Sequence, residues 1–188
     1  MRALAGTISS SSTRSGRVFH LNDHLISLEK AWRGLADLGW PFADKASRLL
    51  EQLNTTAPGL NGIEMCAGHG TYTPGQVLLA EGRTVTIDWD TYNMADPSYD
   101  VARFLLELKR MGLKYFGTIH ALDPAAEAFL KTYLATGRSD VTTHLAFQKA
   151  AICLERTKHD VDKQARGWHE RAEAMLDEGL RILHQEAN

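Results

Sequence analysis

A short stretch in the middle of this chain changes the period of its apolar residues, and that change constrains the fold more than any other feature. Residues 76–80 (QVLLA) and 84–88 (TVTID) are rich in apolar and β-branched residues, and residues 81–83 (EGR) lie between them. Two such runs around a glycine-containing turn are typical of a β-hairpin. A hairpin brings its open ends together, so we expect Gln76 and Asp88 to lie side by side at its mouth.

The sequence on both sides of the predicted hairpin has apolar residues at helical spacing. Two of the helix starts combine an acid that can cap the helix with a proline at the first helical position, at Asp96-Pro97 and Asp123-Pro124. We predict helices around residues 28–38 and 46–53, after Pro97 and Pro124, and over 142–156 and 164–185. The chain is therefore predicted to be mainly α-helical, with the hairpin as its only sheet.

Length and composition are those of one folded domain or of a large fragment of one. The chain has 188 residues, 44% of them hydrophobic, and a formal net charge of -2, which gives no basic surface for nucleic acid. No apolar run reaches the roughly 20 residues that span a membrane, and no signal peptide is recognisable. Cys66 and Cys153 lack motif spacing, so we expect reduced thiols in a cytoplasmic protein. Residues 1–17 are Ser-rich and are expected to form a flexible arm before a helical domain over 18–188.

The residues with the most specific chemistry lie between positions 69 and 103. Their order is His69-Gly70-Thr71, then Pro74-Gly75-Gln76, then Ile87-Asp88-Trp89, and finally Asp96-Pro97-Ser98-Tyr99-Asp100-Val101-Ala102-Arg103. An amide oxygen and a carboxylate that converge at a hairpin mouth are suitable ligands for a hard cation such as Mg²⁺. From the residues alone, a surface turn with a helix-capping acid explains the same spacing, and both interpretations stay open.

In order and spacing, these motifs resemble those of the aminoglycoside phosphotransferase and choline kinase-like family. The family pattern is H-G-D-x-x-x-x-N, then I-D-W/F after a hairpin, then D-P-x-x-D-x-A. The resemblance is sharp over residues 69–103 and extends over 97–185 only as a helical pattern. It implies a protein-kinase-like C-terminal lobe. The β-rich N-terminal lobe is expected to be absent, because the 68 residues before His69 have a helical pattern.

The resemblance implies a role for each residue that matches the family motif. His69 corresponds to the residue that braces the catalytic loop. Gln76 corresponds to the metal-binding Asn, which related sugar kinases replace by Gln, and Asp88 to the Asp that holds Mg²⁺ between the nucleotide phosphates. The implied cofactors are therefore Mg²⁺ and ATP. Asp96 and Asp100 correspond to structural acids.

Two other residues of this segment have weaker interpretations. Arg103 ends the last motif and is expected to be structural, pairing with Asp96 or Asp100. Asp90 follows the Ile-Asp-Trp motif closely and is assigned to the substrate side of the site or to its loop.

Thr71 departs from the family motif, because it stands where the family has its catalytic Asp. That Asp orients the acceptor hydroxyl and takes its proton, whereas Thr carries no charge and is not a useful base near pH 7. General-base catalysis contributes about 10²- to 10⁴-fold in rate. Phosphoryl transfer depends chiefly on positioning and charge stabilisation. We therefore expect the change to cripple the reaction without forbidding it.

Two functions remain open. The first is ATP- and Mg²⁺-dependent phosphoryl transfer to a small-molecule hydroxyl, weak or absent in this chain alone. The second is a non-catalytic, pseudokinase-like binding or interaction module. Without an N-terminal lobe, apolar surface near the hairpin should be bare or self-associated. We therefore expect a homodimer, an N-lobe polypeptide acting in trans, or a covering role for residues 1–30. The sequence does not identify the acceptor.

Two other arrangements that include a histidine also have plainer interpretations. His20 and His24 lie four residues apart and could share a helical face as metal ligands, but no third ligand is near in sequence. Cys66 precedes the His-Gly bend and could act as a nucleophile with His69, but no residues with an orienting or oxyanion-binding pattern accompany it.

Overall fold

The structure, a computed structural model, describes residues 17–36, 43–59, 63–137 and 139–186, and these form helices and two small sheets. The helices are α1 (Leu21–Ala36), α2 (Ala43–Thr56), α3 (Pro97–Phe116), α4 (Asp123–Leu134), α5 (Thr142–Lys163) and α6 (Trp168–Glu186). The strands are β1 (Arg17–Val18), β2 (Cys66–Gly68), β3 (Val77–Ala80), β4 (Arg83–Thr86) and β5 (Asn93–Ala95). The predicted flexible arm lies outside the described residues except for Arg17, which belongs to β1.

Helix α5 is the centre of the helical core and packs against α1, α2, α3 and α6. Five consecutive residues in its middle, 150–154 (AAICL), are apolar and fully buried. Helix α6 approaches α5 closely at Gly179, where a Cβ atom would lie 3.1 Å from Cβ of Cys153. Among these surrounding helices, α3 also contacts β2 and so joins the helical core to one of the small sheets.

The start of α3 is capped as the sequence predicts. The Asp96 carboxylate accepts a hydrogen bond from the backbone N–H of Ser98 at 2.8 Å, and Pro97 occupies the first helical position. The corresponding prediction for α4 is wrong, because Leu122 is the N-cap and Asp123 is the first helical residue. The Asp123 carboxylate instead accepts hydrogen bonds from the side chains of Lys109 and His120.

The predicted hairpin is present as β3 and β4, paired antiparallel from Val77 opposite Thr86 to Ala80 opposite Arg83. Glu81 and Gly82 form its turn, both with positive φ, as a tight hairpin turn requires. Leu78, Leu79 and Val85 of the hairpin are exposed, and Leu79 is 80% exposed.

The prediction that the hairpin is the only sheet is wrong. A second sheet has the strand order β1-β5-β2, with β1 parallel and β2 antiparallel to β5. Its strands are two or three residues long, too short to show the alternation that identifies a strand in a sequence. Gly68 pairs with Asn93 in this sheet. The chain that follows Gly68 therefore lies beside the chain that precedes Asn93.

Within the described ranges, no helix combines the length and the apolar character that crossing a membrane requires.

Candidate functional site

The bend that follows β2 is held by one carboxylate of helix α3. Asp100 accepts hydrogen bonds from the backbone N–H groups of His69 at 2.6 Å, Gly70 at 3.2 Å and Tyr72 at 3.2 Å. Backbone N–H groups that converge in this way form a site for an anion, which Asp100 fills from within the protein. The shape of the bend is therefore coupled to the first turn of α3.

Gly70 allows the bend to pass close to the chain before β5. Its φ is +83°, and a Cβ atom on it would lie 2.3 Å from the backbone oxygen of Thr91. A residue with a side chain would meet both the strain of the left-handed region and a clash with backbone.

His69 connects the bend to the end of the hairpin. The buried ring donates a hydrogen bond from Nε2 to the backbone oxygen of Ile87 at 2.9 Å. Because a carbonyl oxygen only accepts, Nε2 carries a proton. The ring also lies 4.8 Å from that of Trp89, centroid to centroid. His69 therefore connects the His-Gly bend to the Ile-Asp-Trp motif, which is the position expected of a residue that braces the bend.

Gln76 and Asp88 meet at the mouth of the hairpin, and this confirms the predicted juxtaposition. The backbone N–H of Ile87 donates to the backbone oxygen of Gln76 at 3.0 Å, and Nε2 of Gln76 donates to Oδ2 of Asp88 at 2.9 Å. Asp88 has a positive φ of 68° and an exposed side chain. Its carboxylate is therefore presented to solvent beside an amide, directly next to the His69 brace.

After a rotation of the Gln76 amide, the oxygen atoms at this mouth would be suitable ligands for a hard cation. Oε1 of Gln76 accepts hydrogen bonds from the N–H and the hydroxyl of Thr73, at 2.9 and 3.1 Å, so the amide nitrogen faces Asp88. A half-turn of the amide would present its oxygen beside the carboxylate, at the cost of both bonds to Thr73. Mg²⁺ is bound by one or two such protein oxygens together with water and substrate phosphates. In the described part of the chain, no three His, Cys, Asp or Glu residues cluster as metal ligands.

Thr71 faces the chain before β5 and forms a hydroxyl pair. Its Oγ1 lies 2.8 Å from Oγ1 of Thr91, whose hydroxyl donates to the backbone oxygen of His69 at 2.9 Å. Thr71 is therefore the donor to Thr91. The position that has a carboxylate in the family motif thus holds a hydroxyl that is already engaged.

A cavity of about 310 Å³ lies beside the bend. Its walls include His69, Tyr72, Trp89, Phe129 and Tyr133. Burial raises the pKa of Tyr72, so its phenol stays protonated near neutral pH. Sequence reasoning missed this cavity because Phe129 and Tyr133 belong to a helical stripe that was assigned to the core. The signal that could have found it is aromatic density on the helix that follows the motif.

Arg103 makes other contacts than those expected, and Asp90 lies apart from the cavity beside the bend. Arg103 was expected to pair with Asp96 or Asp100. It instead lies 3.8 Å from the carboxylate of Glu155 on α5 and donates to the Tyr99 hydroxyl. Asp90 lines a different depression, beside Lys30 of α1. It therefore is not among the residues that line the cavity beside the bend.

The bend held by a helix acid, the hairpin and the helical body together have the arrangement of a protein-kinase-like C-terminal lobe. Two solved structures are similar to the chain. One is the apo form of a thermostable mutant of aminoglycoside phosphotransferase APH(4)-Ia, with a TM-score of 0.62, 16% identity, and coverage of 89% of this chain and 53% of that one. The other is a choline/ethanolamine kinase family protein from Mesorhizobium loti, with a TM-score of 0.51, 15% identity, and coverage of 90% and 60%.

These likenesses confirm the predicted fold class, a mainly helical, protein-kinase-like C-terminal lobe with a small β region. The chain spans 53% and 60% of the length of the two solved structures. The sequence matches no protein-family model and no curated protein. At 16% and 15% sequence identity, the similarity between the chain and these two structures concerns the fold.

Proposed function

We propose that the chain is the metal-binding half of a phosphotransferase. By itself, the chain transfers phosphate to a small-molecule hydroxyl slowly or not at all. Gln76 and Asp88 bind Mg²⁺-ATP in this proposal. The observation that carries it is the 2.9 Å contact between these two side chains at the hairpin mouth, next to the braced bend. The likeness in fold to two phosphotransferase-type proteins supports it.

Each residue of the site contributes through position or charge. Asp88 provides the carboxylate and Gln76 the amide oxygen that would hold Mg²⁺. When bound, the ion neutralises charge that develops on the transferred phosphoryl group. Asp100 and His69 keep the bend at a fixed place relative to that pair. Preorganised groups of this kind supply most of the catalysis in phosphoryl transfer.

Thr71 limits the rate in this proposal. Its hydroxyl can orient an acceptor hydroxyl after releasing Thr91, but it cannot take a proton near pH 7. The expected loss relative to an aspartate is about 10²- to 10⁴-fold. The acceptor is a small hydroxylated molecule, and the aromatic cavity beside the bend is the proposed place for it.

Calorimetry with Mg²⁺-ATP tests the metal-binding part of the proposal. We expect measurable binding to the unmodified chain and a loss of about tenfold or more in Asp88→Asn, which keeps the shape but removes the charge. Asp90→Asn is the matched control, since Asp90 is equally exposed and two residues away. Binding that Asp88→Asn leaves unchanged, or no binding by any variant, would contradict the proposal.

A phosphate-transfer assay with amino-sugar and amino-alcohol acceptors tests the role of position 71. We expect no appreciable turnover from the unmodified chain, and robust turnover would contradict the proposal. Thr71→Asp should restore measurable transfer if only the base is missing, while Thr71→Asn, of the same shape, should not. If Thr71→Asp stays inactive until a separate N-lobe polypeptide is added, the second lobe is decisive.

A non-catalytic binding or interaction module is the second candidate. It is favoured by the engaged hydroxyl at Thr71 and by the exposed apolar residues of the hairpin, such as Leu79. This candidate requires no nucleotide, so an absence of Mg²⁺-ATP binding in calorimetry favours it.

A cytoplasmic location is part of the same proposal. Cys66 and Cys153 are both thiols, and reduced thiols are typical of proteins in a reducing compartment.

A further inference from the structure

An open cavity of about 620 Å³ lies where the C-terminal halves of α3 and α5 meet the start of α6. It shares no residue with the hairpin mouth or with the cavity beside the bend. Its volume is in the range of small-molecule sites, roughly 300–1,000 Å³. A ligand bound here would therefore be distinct from the nucleotide and the acceptor of the proposed phosphotransfer.

The charged side chains in the wall of this cavity are mainly cationic. Five cations and two acids line it, a net charge of +3 with His159 neutral, in a chain whose formal net charge is -2. The C-terminal ends of α3 and α5 each add about half a negative charge, so together they offset about one of the three. The cations are Arg110, Lys114, Lys163, Arg166 and Arg171, and the acids are Glu107 and Asp160.

The two acids are already paired with arginines. Asp160 accepts hydrogen bonds from both terminal nitrogens of Arg110, at 2.5 and 2.7 Å, and its Oδ1 lies 3.5 Å from Nε of Arg171. Glu107 pairs with Arg156 and with Arg110. The carboxylates are therefore used within the protein, and the excess positive charge belongs to the other cations of the wall.

Three of these cations are exposed, and within the described ranges none of them forms an ion pair with an acid. They are Lys114, Lys163 and Arg166. Nζ of Lys114 lies 4.7 Å from the ring centroid of Tyr115, which also lines the cavity. Arg171 donates a hydrogen bond to the backbone oxygen of Arg166 at 2.8 Å. The loop that carries the Arg166 side chain is therefore fixed from α6.

The ring of His159 responds to this excess of positive charge. Burial lowers its pKa, and the charges of Arg156, Arg110 and Lys163 lower it further, against the opposite effect of Asp160. His159 lines the same cavity. An anion placed there would oppose these cations and raise the pKa of the ring.

We propose that this cavity binds a small anion with two or more negative charges, of the diphosphate class. Lys114 on one side and Lys163 and Arg166 on the other bind its oxygen atoms. The guanidinium group of Arg166 can donate two parallel hydrogen bonds to one phosphate group, and each ammonium group acts as a point charge. The bound anion connects α3 to the loop between α5 and α6.

Titration with sodium pyrophosphate in metal-free buffer, followed by NMR of the histidine rings and by thermal unfolding, tests the proposal. We expect a saturable shift of the His159 resonances, a higher pKa of His159 and a rise in Tm. Sodium chloride at equal ionic strength is the control and should give no saturable shift. No saturable shift up to about 10 mM pyrophosphate, or an equal shift with chloride, would overturn the proposal.

Two double variants with the same change in net charge separate this site from general attraction of anions. Lys163→Gln with Arg166→Gln removes two cations of the wall and should weaken pyrophosphate binding by about tenfold or more. Lys131→Gln with Arg48→Gln removes two exposed cations of α4 and α2 and should change it by no more than about twofold. Equal weakening in the two double variants, or none in the first, would overturn the proposal. If the first fails to fold, the comparison of pyrophosphate with chloride on the unmodified chain decides.

Discussion

At the level of single residues, the bend from His69 to Tyr72 depends on a carboxylate 31 residues further along the chain. Asp100 receives three backbone N–H groups that the short bend cannot pair with carbonyls of its own. Backbone donors left unpaired away from water cost free energy. The stability of the bend is therefore concentrated in one side chain.

Replacing Asp100 should destabilise the protein markedly. Asp100→Ala leaves three N–H groups without their acceptor, and we expect a loss of about 2–4 kcal/mol in the free energy of unfolding. Urea denaturation followed by circular dichroism measures it. Asp90→Ala removes an exposed carboxylate and should change stability by no more than about 0.5 kcal/mol. Equal losses for the two variants would contradict the role of Asp100.

Gly70 and Gly82 have similar φ angles, so alanine substitutions at the two positions distinguish the cost of a steric clash from the cost of backbone strain. Gly82→Ala, in the hairpin turn, has nothing within 4 Å of the new Cβ, so only the strain of its φ of +76° remains, about 1–2 kcal/mol. Gly70→Ala adds the clash with the Thr91 backbone oxygen, and we expect about 2–4 kcal/mol. Thermal and urea unfolding of the pair measure the difference. If Gly70→Ala costs no more than Gly82→Ala, the bend adapts and the close approach is unimportant.

At the level of elements, the hairpin is a two-stranded ribbon with apolar residues on an open surface. Leu78 and Val85 are each 48% exposed, and Leu79 is 80% exposed. Residues 1–30 were one candidate to cover this surface. The elements that contain their described part, β1 and α1, pack on β5, α2 and α5. Exposed apolar residues on an open strand edge favour association.

We predict that the chain self-associates through the hairpin. Sedimentation velocity should show a concentration-dependent dimer, and Leu79→Lys should shift it to monomer with a change in stability of no more than about 0.5 kcal/mol. Ile26→Lys is the matched control, because Ile26 is 65% exposed on α1. A monomer of the unmodified chain at about 100 μM would contradict the prediction. The remaining candidates for this surface would then be an N-lobe polypeptide in trans and residues 1–16, which lie outside the described ranges.

The elements with a strong local signal could be predicted from the sequence. The hairpin needed only two β-prone runs and a glycine turn, and the contact of Gln76 with Asp88 follows from its topology. The sheet of β1, β5 and β2 could not be predicted, because strands of two or three residues have no measurable period. The partner of Arg103 and the hydrogen bond of His24 also could not be predicted. Arg103 lies on α3 and His24 on α1, and both contact Glu155 of α5, which is 131 residues from His24.

At the level of the whole molecule, buried charges connect the helices. Arg110 of α3 makes a bidentate pair with Asp160 of α5, at 2.5 and 2.7 Å. Glu178 of α6 is 1% exposed and pairs with Arg181 and with Lys109 of α3. Such pairs are costly to break from one side, because the partner keeps a buried charge.

We predict that acid weakens the fold below about pH 4.5. Burial opposes the ionisation of Glu178, but the hydrogen bond from Arg181 and the charge of Lys109 lower its pKa. The unfolded chain binds protons near the ordinary Glu pKa of about 4.3. The stability from this pair is therefore fully present above about pH 5 and is lost as the pH falls through the lowered folded pKa.

Urea unfolding between pH 7 and pH 3.5 measures this effect. Glu178→Gln should be less stable than the unmodified chain at pH 7 and should lose less stability on acidification. Glu81→Gln, in the exposed hairpin turn, is the control and should follow the unmodified chain. The assignment to Glu178 fails if both variants lose stability as steeply as the unmodified chain.

The hydrogen bonds from the bend to Asp100 have a consequence for how such a protein can evolve. The backbone at position 71 is positioned from outside, by a helix, while the Thr71 side chain makes its hydrogen bond with the Thr91 hydroxyl. A lineage could therefore exchange an acid for a hydroxyl at this one position, or reverse the exchange, without rebuilding the surrounding architecture. Gain and loss of a reaction would then be separated by a single codon rather than by a new fold.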